Sequence, residues 1–390
     1  MSKVGVICLV AIASSIGYIT PIATQNLVGK TYYVDGIKGL DRNLGTSEKL
    51  PFKTIDRANQ QVGAGDTVLV KNGTYNENLT IATSGTAQSW ITFKAFPGHK
   101  PVVRGSSGAF NVVSSYVKII GFEIVSIAEN GIAIGGNNNH HVQILNNRVH
   151  DCGCNGIGGI KTDYLTIENN IVYRNSFTAP WMCSGISIYQ AQDSDSKPGF
   201  HNIVRGNISY SNENKRVNKD GKVTDGNGII IDDFKHTQGK IKSAKYLSST
   251  LVENNIVFDN GGRGINIFQS ERVTVRNNTS FKNSKSKTLY EGSDGEISSL
   301  NSDNNSFSHN ITYGRDRSRR TLVDSKSSGN KWDYNLSYNG KIAVDKKILG
   351  KHNLVDVDPL FISPSISIDK ANFRLRPKSP AIGLGTRKYQ

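Results

Sequence analysis

Residues 255–281 read NIVFDNGGRGINIFQSERVTVRNNTSF and contain one complete copy of a repeat. Each copy begins with an asparagine followed by alternating β-forming residues, and here the next copy begins 23 residues later, at Asn278. The seven copies begin at Asn147, Asn170, Asn207, Asn255, Asn278, Asn310 and Asn335. Short strands without helices between them, at a period near 23 residues, predict a solenoid. The all-β fold that we expect is a right-handed parallel β-helix with three strands in each coil.

The spacing between the copies is uneven, with intervals of 23, 37, 48, 23, 32 and 25 residues. The two longest intervals are adjacent, so the additional residues should gather at one place along the rod. Long loops on a compact scaffold are usually functional or disordered. The insertions therefore indicate where a functional site would lie.

The asparagine that begins each copy has two physical reasons for its position. Asparagine tolerates the left-handed backbone conformation of a sharp turn. Stacked side-chain amides can also hydrogen-bond from one coil to the next. We interpret this column of asparagines as structural rather than catalytic.

The segment before the repeats has the pattern of an N-terminal cap. Residues 31–35 (TYYVD) read as a first strand, and Phe52, Ile55, Ala58 and Val62 follow at helical spacing. A capping helix here would cover the open end of the solenoid, where strand edges would otherwise be unpaired. We expect residues 29–390 to form a single β-helix domain.

Residues 1–28 have the pattern of a secretory signal peptide or an N-terminal anchor, because Lys3 precedes an apolar stretch. We therefore expect a secreted, periplasmic or cell-surface protein whose membrane contact is limited to an uncleaved anchor. The rest of the chain has three cysteines, Cys152, Cys154 and Cys183. Cys154 and Cys183 would pair if adjacent coils bring them together, and small buried thiols are the alternative.

The formal net charge is +15, from 47 Lys and Arg against 32 Asp and Glu. Such a surface favours anionic partners, although a basic surface can also serve solubility alone. The basic residues are spread along the chain without a cluster, which argues against nucleic acid. We expect an acidic polysaccharide as the partner and a monomeric protein.

A second motif, Gly-Ile, recurs between the asparagine strands and sets the register of the coils. Its isoleucines, which should point into the core, are Ile132, Ile157, Ile186, Ile229 and Ile265. Side chains alternate along a strand, so the outward column at the strand end is Gly135, Ile160, Tyr189, Asp232 and Phe268. The next column is Gly136, Lys161, Gln190, Asp233 and Gln269. Polar and aromatic residues thus gather in the coils that the long insertions flank.

The insertions, at residues 177–198, 212–224 and 236–246, should form the walls of a groove around the strand that carries Asp232. Aromatic rings in such a groove can stack on sugar faces, while a few polar groups fix the orientation of the ligand. The substrate-binding residues that this groove predicts are Lys161, Trp181, Tyr189, Gln190, His236, Asn266 and Gln269.

The densest group of ionisable side chains lies in residues 225–236, which read DGNGIIIDDFKH. Adjacent carboxylates such as Asp232 and Asp233 repel one another unless a cation lies between them. They could take part in acid–base chemistry or bind a hard cation such as Ca²⁺, for which Asp225 and Asn227 could add oxygen ligands. A turn closed by the two aspartates is the structural alternative.

The closing segment, with residues 358–361 (DPLF), 372–375 (NFRL) and 379–383 (SPAIG), resembles that of the pectate-lyase-like right-handed β-helix superfamily. The DGNG stretch at residues 225–228 resembles the family 9 polysaccharide lyases, although Ile230 stands where that family has a lysine. The resemblance implies β-elimination on an acidic, uronate-containing polysaccharide. It also implies a Ca²⁺ that neutralises the substrate carboxylate and a Lys or Arg that removes a proton.

A Ca²⁺-assisted polysaccharide lyase is our first interpretation of these residues. Its metal ligands would be Asp225, Asn227, Asp232 and Asp233. The candidate catalytic residues are Asp232, Asp233, Lys235 and Arg263, with Lys161 as a further candidate base. One alternative is a β-helix glycoside hydrolase, in which Asp225 would pair with Asp232 or Asp233. A C5-epimerase and a non-catalytic carbohydrate-binding rod also remain open.

Overall fold

The structure, a computed structural model, describes residues 29–178, 180, 182–239 and 244–386. The predicted leader, residues 1–28, and the candidate binding residue Trp181 lie outside the described residues. The described chain winds into a rod of parallel strands, and successive coils add strands to the same sheets. The predicted all-β parallel β-helix is therefore confirmed.

The described residues form 32 strands and one short helix. The first are β1 (Thr31–Val34), α1 (Ile55–Asn59), β2 (Thr67–Val70), β3 (Thr74–Tyr75), β4 (Leu79–Ile81), β5 (Ile91–Ala95), β6 (Val102–Gly105), β7 (Phe110–Val112), β8 (Val117–Ile120), β9 (Glu123–Ser126) and β10 (Ile132–Leu145). Next are β11 (Arg148–His150), β12 (Ile157–Glu168), β13 (Ile171–Tyr173), β14 (Ile186–Tyr189), β15 (Phe200–Arg205), β16 (Ile208–Tyr210), β17 (Ile229–Asp232), β18 (Ser249–Glu253), β19 (Ile256–Phe258), β20 (Ile265–Phe268) and β21 (Val273–Arg276). The last are β22 (Thr279–Phe281), β23 (Ile297–Leu300), β24 (Ser306–Ser308), β25 (Ile311–Tyr313), β26 (Arg320–Ser325), β27 (Lys331–Asp333), β28 (Leu336–Tyr338), β29 (Lys341–Ala343), β30 (Leu354–Val355), β31 (Phe361–Ser363) and β32 (Asn372–Leu375).

The rod has three faces. The site face contains β4, β7, the first parts of β10 and β12, and then β14, β17, β20, β23, β26 and β29. The second face contains β1, β2, β5, β8, the last parts of β10 and β12, and then β15, β18, β21, β24 and β27. The third face contains β3, β6, β9, β11, β13, β16, β19, β22, β25, β28 and β30. Because β10 and β12 turn from the site face onto the second face, these two faces form one continuous sheet.

Inward-pointing aliphatic side chains from successive coils form the core. On the site face, the isoleucines of the Gly-Ile motif pair in register and are all 0% exposed: Ile132, Ile157, Ile186, Ile229 and Ile265. The predicted register of these coils is therefore confirmed. Full burial of one isoleucine contributes about 1.5–3 kcal/mol, so the stacked column stabilises the contacts between coils.

The asparagines that begin the repeats form a buried ladder. The side-chain NH2 of each donates to the side-chain carbonyl of the next, as in the 3.0 Å bond from Asn170 to Asn207 and the 2.9 Å bond from Asn255 to Asn278. The left-handed backbone position is the preceding residue, for example Asn169 with φ 57°. Bonding between coils is therefore confirmed, and our expectation that these asparagines adopt the left-handed conformation is wrong.

The helix α1 lies at the N-terminal end of the rod and is shorter than its spacing predicts. The Thr54 side chain accepts a hydrogen bond from the Arg57 backbone and caps it. Its Ile55 and Ala58 are buried, and α1 packs against β1, β2 and β4. Within the described residues, no helix is long and apolar enough to cross a membrane.

The C-terminal segment crosses the outer surface of the third face. β31 and β32 form an antiparallel hairpin. The ring of Phe373 contacts those of Phe258, Phe281 and Phe361. These side chains belong to a second apolar cluster, separate from the core inside the coils. The segment thus covers apolar side chains that the strands of the third face direct outward.

Candidate active site

A cavity of about 720 Å³ opens on the site face beside β12, β14 and β17. Small residues, including Gly158 and Ser187, leave space at its base, and Tyr189 and Asp232 line it at the strand ends. Loops from both sides of β14 and β17 border it, through residues that include Thr178, Pro180, Met182, Gln238 and Gly239. The volume lies within the range of about 300–1,000 Å³ that is usual for small-molecule sites.

Asp232 is the carboxyl group that this cavity places in an unusual environment. It ends β17, and its Oδ1 accepts a hydrogen bond of 2.7 Å from the Gln238 side chain. Burial raises the pKa of Asp232 to about 7, and the negative charges of Asp225 and Asp233 act in the same direction. A carboxyl group with this pKa holds a proton near neutral pH and can donate it to a bound ligand.

Asp225 lies at the opposite end of the same segment, before β17. Its Oδ2 accepts a 2.9 Å hydrogen bond from the Met182 backbone and a 3.1 Å bond from the Thr224 hydroxyl. Its Oδ1 accepts a 3.1 Å bond from the Asn227 side chain. Three donors therefore fix the orientation of this carboxyl group.

Asp233 is fully buried and has the role of a turn residue. Its two carboxylate oxygens accept bonds from the Thr237 backbone at 2.6 Å, the Gln238 backbone at 2.9 Å and the Gln190 side chain at 2.7 Å. Its backbone is left-handed, with φ 53°, as is that of Gln190 in the preceding coil, with φ 49°. The structure therefore directs Asp233 away from the cavity, although it is adjacent to Asp232 in sequence.

The structure does not bring the predicted basic residues into the cavity. The Lys235 ammonium donates to Asp303 at 2.7 Å and to the Asn301 carbonyl at 2.9 Å, on the C-terminal side of β17. Lys161 is exposed in the column of left-handed turn residues, with φ 53°. His236 is 4% exposed and its Nε2 bonds to the Ala191 carbonyl.

Arg263 is a buried cation near Asp225. Its Nη2 donates to the Gly292 carbonyl at 2.6 Å, and the residue is 6% exposed. Burial lowers the pKa of Arg263 to about 10, while the charge of Asp225 acts in the opposite direction. Arg263 is not among the described residues that line the cavity. It is therefore placed to balance the charge of Asp225 rather than to contact a ligand.

The remaining predicted binding residues divide into two groups. Tyr189 lines the cavity, and it lies in register with Asp232 on the adjacent strand. Asn266 is 2% exposed and Gln269 is a left-handed turn residue with φ 48°, and neither is among the described residues that line the cavity. Of the substrate-binding set, the described structure therefore places Tyr189 at the cavity.

The four predicted metal ligands do not present a free set of oxygen atoms for Ca²⁺. Both oxygens of Asp233 are occupied by hydrogen bonds within its turn. The side-chain oxygen of Asn227, Oδ1, accepts the Arg263 backbone N–H at 2.8 Å. Since Ca²⁺ requires about 6–8 oxygen ligands, this arrangement does not fit the ion, and we derive no step through it.

A different acidic cluster lies on the second face, where ligand atoms of Asp163, Asp193 and His201 are within 4.8 Å of one another. Asp163 is fully buried and accepts bonds from the Tyr246 hydroxyl at 2.6 Å and from the Ser194 hydroxyl at 2.8 Å. The oxygens of Asp193 accept two backbone N–H groups. Through these hydrogen bonds the cluster holds the loops at residues 190–199 and 244–248 in place.

A disulfide between Cys154 and Cys183 forms part of the cavity wall, and Cys152 is buried as a free thiol. The disulfide joins the loop before β14 to the preceding coil. The Cys183 carbonyl accepts a 2.8 Å bond from the Gly226 backbone, next to Asp225. The disulfide thus connects the wall of the cavity to the segment that carries the carboxylate.

Replacement of both cysteines, Cys154→Ser with Cys183→Ser, should lower the free energy of unfolding by about 3 kcal/mol, because the crosslink closes a loop of 29 residues. Thermal unfolding with and without reductant measures this. Reductant should lower the midpoint of the unsubstituted protein and leave that of the double variant unchanged. Equal midpoints for the two proteins under oxidising conditions would contradict the role of the crosslink.

Two features of the cavity were missed from the sequence. Gln238, which bonds to Asp232, belongs to an insertion whose path no periodicity fixes. Glu129 lines the same cavity from a corner two coils before β14. The spacing of seven residues between Asp225 and Asp232 was the signal available for the carboxylate pair.

Comparison with known proteins supports the fold. Residues 32–212 match the family model described as "Pel9A-like, right handed beta helix region". The crystal structure of pectate lyase Pel9A superposes with a TM-score of 0.55 at 19% sequence identity, over 90% of each chain. These matches show that the β-helix is right-handed, as predicted.

Two curated relatives have names that refer to carbohydrates. Pectate lyase L of Paenibacillus polymyxa (strain SC2) is 23% identical over 317 residues, which is 71% of this chain and 67% of that protein. A lacto-N-biosidase of Bifidobacterium longum subsp. longum is 40% identical over 80 residues, which is 19% of this chain and 5% of that protein. The second match thus spans a small part of its relative.

Proposed function

We propose, from the premise that this chain is a right-handed parallel β-helix of the pectate-lyase-like superfamily, that it is a glycoside hydrolase acting on a neutral glycan. The observation that carries the proposal is the Asp232 carboxyl group, which lines the cavity and whose pKa is raised by burial and by the charge of nearby Asp225. Glycosidases of the common kind use two carboxyl groups, one protonated and one ionised.

The roles of the two carboxyl groups follow from their surroundings. Asp232 is buried, with a pKa raised to about 7, so it would give its proton to the departing glycosidic oxygen. Asp225 has three hydrogen-bond donors and the Arg263 cation nearby. Asp225 is not among the described lining residues, so its carboxylate would have to reach the cavity to attack the anomeric carbon or activate a water molecule. The stereochemistry of the product distinguishes these two routes.

The charge of the cavity supports a neutral substrate. None of the described residues that line it is Lys or Arg, whereas Glu129 and Asp232 are both acidic. A uronate chain would bring further negative charge to this surface without a counter-charge from the lining. Tyr189 and the polar groups of Asn130, Asn155 and Ser187 suit the faces and hydroxyls of uncharged sugars.

The disulfide supports an extracellular or periplasmic location for this enzyme. Disulfides form and persist in oxidising compartments and are rare in the cytosol. The pair of Cys154 and Cys183 is therefore consistent with the leader-like pattern of residues 1–28. A glycan outside the cell is the substrate that this location would supply.

A panel of neutral and uronate-containing glycans tests the proposal, with the products read as new reducing ends and as ultraviolet absorbance. We expect reducing ends from a neutral glycan, without ultraviolet absorbance and without an effect of chelator. Reducing ends accompanied by ultraviolet absorbance, from a uronate substrate and abolished by chelator, would replace the hydrolase with a lyase.

A polysaccharide lyase is the second candidate function. It is supported by the resemblance to pectate lyase L over 317 residues. In that case the proton-abstracting base would have to reach the cavity from outside its described lining, because Lys235 is paired with Asp303. The raised pKa of Asp232 and a described lining without Lys or Arg make the hydrolase the better account.

A further inference from the structure

A second cavity, of about 420 Å³, lies on the same face towards the N-terminal end of the rod. Thr80, Asn111 and Ala133 line it from β4, β7 and β10. It shares Glu129 and Asn130 with the cavity at Asp232. The two cavities are therefore parts of one groove that follows the site face.

The outward residues of the site face line this groove as far as β14, the strand before the one that carries Asp232. The column is in register as Thr80, Asn111, Ala133, Gly158, Ser187, Ile230, Asn266, Ser298 and Val323. Thr80 and Asn111 are exposed. Gly158 and Ser187 are buried at the base of the cavity that they line. Ile230, Asn266 and Ser298 also point outward by register, but they are 4%, 2% and 0% exposed and line neither cavity. Among the described residues, the outward column therefore lines the groove on the N-terminal side of Asp232 and does not line it on the C-terminal side.

Two loop segments, residues 213–224 and 284–294, precede β17 and β23 on this side of the groove. They join through a parallel bridge between Val223 and Leu289, both of which are buried. The second segment bonds to the Arg263 guanidinium through the Gly292 carbonyl. The first bonds to the cavity wall, because the Thr224 backbone donates to the Pro180 carbonyl at 3.0 Å. Among the described residues, the lining of the groove therefore ends at Asp232 and the loop that follows it.

We propose, on the basis of the proposed function, that this groove holds the body of a glycan chain and that the end of the chain lies beside Asp232. Adjacent strands are about 4.8 Å apart, so the five steps from β4 to β17 span ~24 Å, enough for several sugar units. The side chains of Thr80 and Asn111 offer hydroxyl and amide groups to sugar hydroxyls. The enzyme would then release terminal units rather than cut internal bonds.

The length dependence of binding tests this groove without catalysis. The probes are gluco-, xylo-, manno- and N-acetylgluco-oligosaccharides with β-1,4 links, from disaccharides to hexasaccharides, titrated calorimetrically into the Asp232→Asn variant. For at least one series, affinity should rise about tenfold between the shortest and longest members. Adding Thr80→Trp, which fills the groove, should remove this gain. Adding Thr92→Trp, on β5 of the second face, should preserve it.

Each result decides one of the two proposals. Affinity that does not depend on length, or binding of none of the series, overturns the groove. A gain in affinity that survives Thr80→Trp also overturns it. Early internal cleavage of a polymeric substrate by the unsubstituted enzyme overturns the chain-end placement. Length-dependent binding without hydrolysis by the unsubstituted enzyme overturns the proposed function and leaves the groove intact.

Discussion

Asp232→Asn should reduce kcat/KM by about 10²–10⁴-fold, the usual contribution of a general acid. The amide is similar in size to the carboxyl group and can retain the contact with Gln238, but it has no proton to give to the glycosidic oxygen. Asp225→Asn should lose at least as much, because the ionised partner is then absent. The measurement is initial rate on the glycan that the panel identifies.

Three comparisons make this prediction specific. Asp369→Asn, an exposed aspartate of the C-terminal segment, should keep full activity. Unchanged circular dichroism and melting midpoints in all variants would exclude loss of the fold. A substrate with a leaving group that needs no protonation should restore much of the rate of Asp232→Asn and little of Asp225→Asn. Equal rescue of both variants would show that the two roles are assigned incorrectly.

The pH profile provides a further check on Asp232. Its pKa is raised to about 7 by burial and by the neighbouring carboxylates. A general acid acts in its protonated form, so kcat/KM should fall as pH rises through about 7. An activity that instead rises across this range would indicate that Asp232 acts as a base in the free enzyme.

Asn207→Ala should lower the free energy of unfolding by about 3–5 kcal/mol, since each unsatisfied buried polar group costs about 1–3 kcal/mol. The Asn207 amide donates to the Ile167 carbonyl at 2.8 Å and to Asn255 at 3.0 Å. Its carbonyl accepts from the backbone and side chain of Asn170. Alanine removes these bonds from the buried Ile167 carbonyl and the Asn170 backbone N–H in the middle of the ladder. Asn255 keeps its bond from the residue 207 backbone, and the Asn170 side chain keeps its bond to the Ile144 carbonyl. Chemical denaturation followed by fluorescence measures the loss.

The matched control for this variant is Asn111→Ala. Asn111 is an exposed asparagine on β7, with a side chain outside the ladder. Its replacement should change the free energy of unfolding by less than about 0.5 kcal/mol. A loss of the same size in both variants would mean that the ladder amides contribute no more than surface asparagines do.

The repeat itself carries most of the information about the fold. In a solenoid each coil packs against its neighbours, so the residues that hold coils together recur at corresponding positions. The asparagine and Gly-Ile columns are visible for this reason, and the register of Ile186 with Ile229 follows from them. What the columns do not reveal is which turn residue adopts the left-handed conformation, because Asn169 and Asn170 have the same side chain.

The tertiary structure alone decides which of the predicted residues lie at the cavity. The sequence places Asp225, Asp232, Asp233 and Lys235 within eleven residues, but side-chain direction at a turn depends on local φ and on loops that no repeat constrains. Only the folded chain shows Asp233 bonded within its turn and Lys235 bonded to Asp303, with Asp232 left at the cavity. The physical reason is that core contacts repeat from coil to coil and so appear as a pattern in the sequence. The cavity arises from insertions that occur once, and these leave no such pattern.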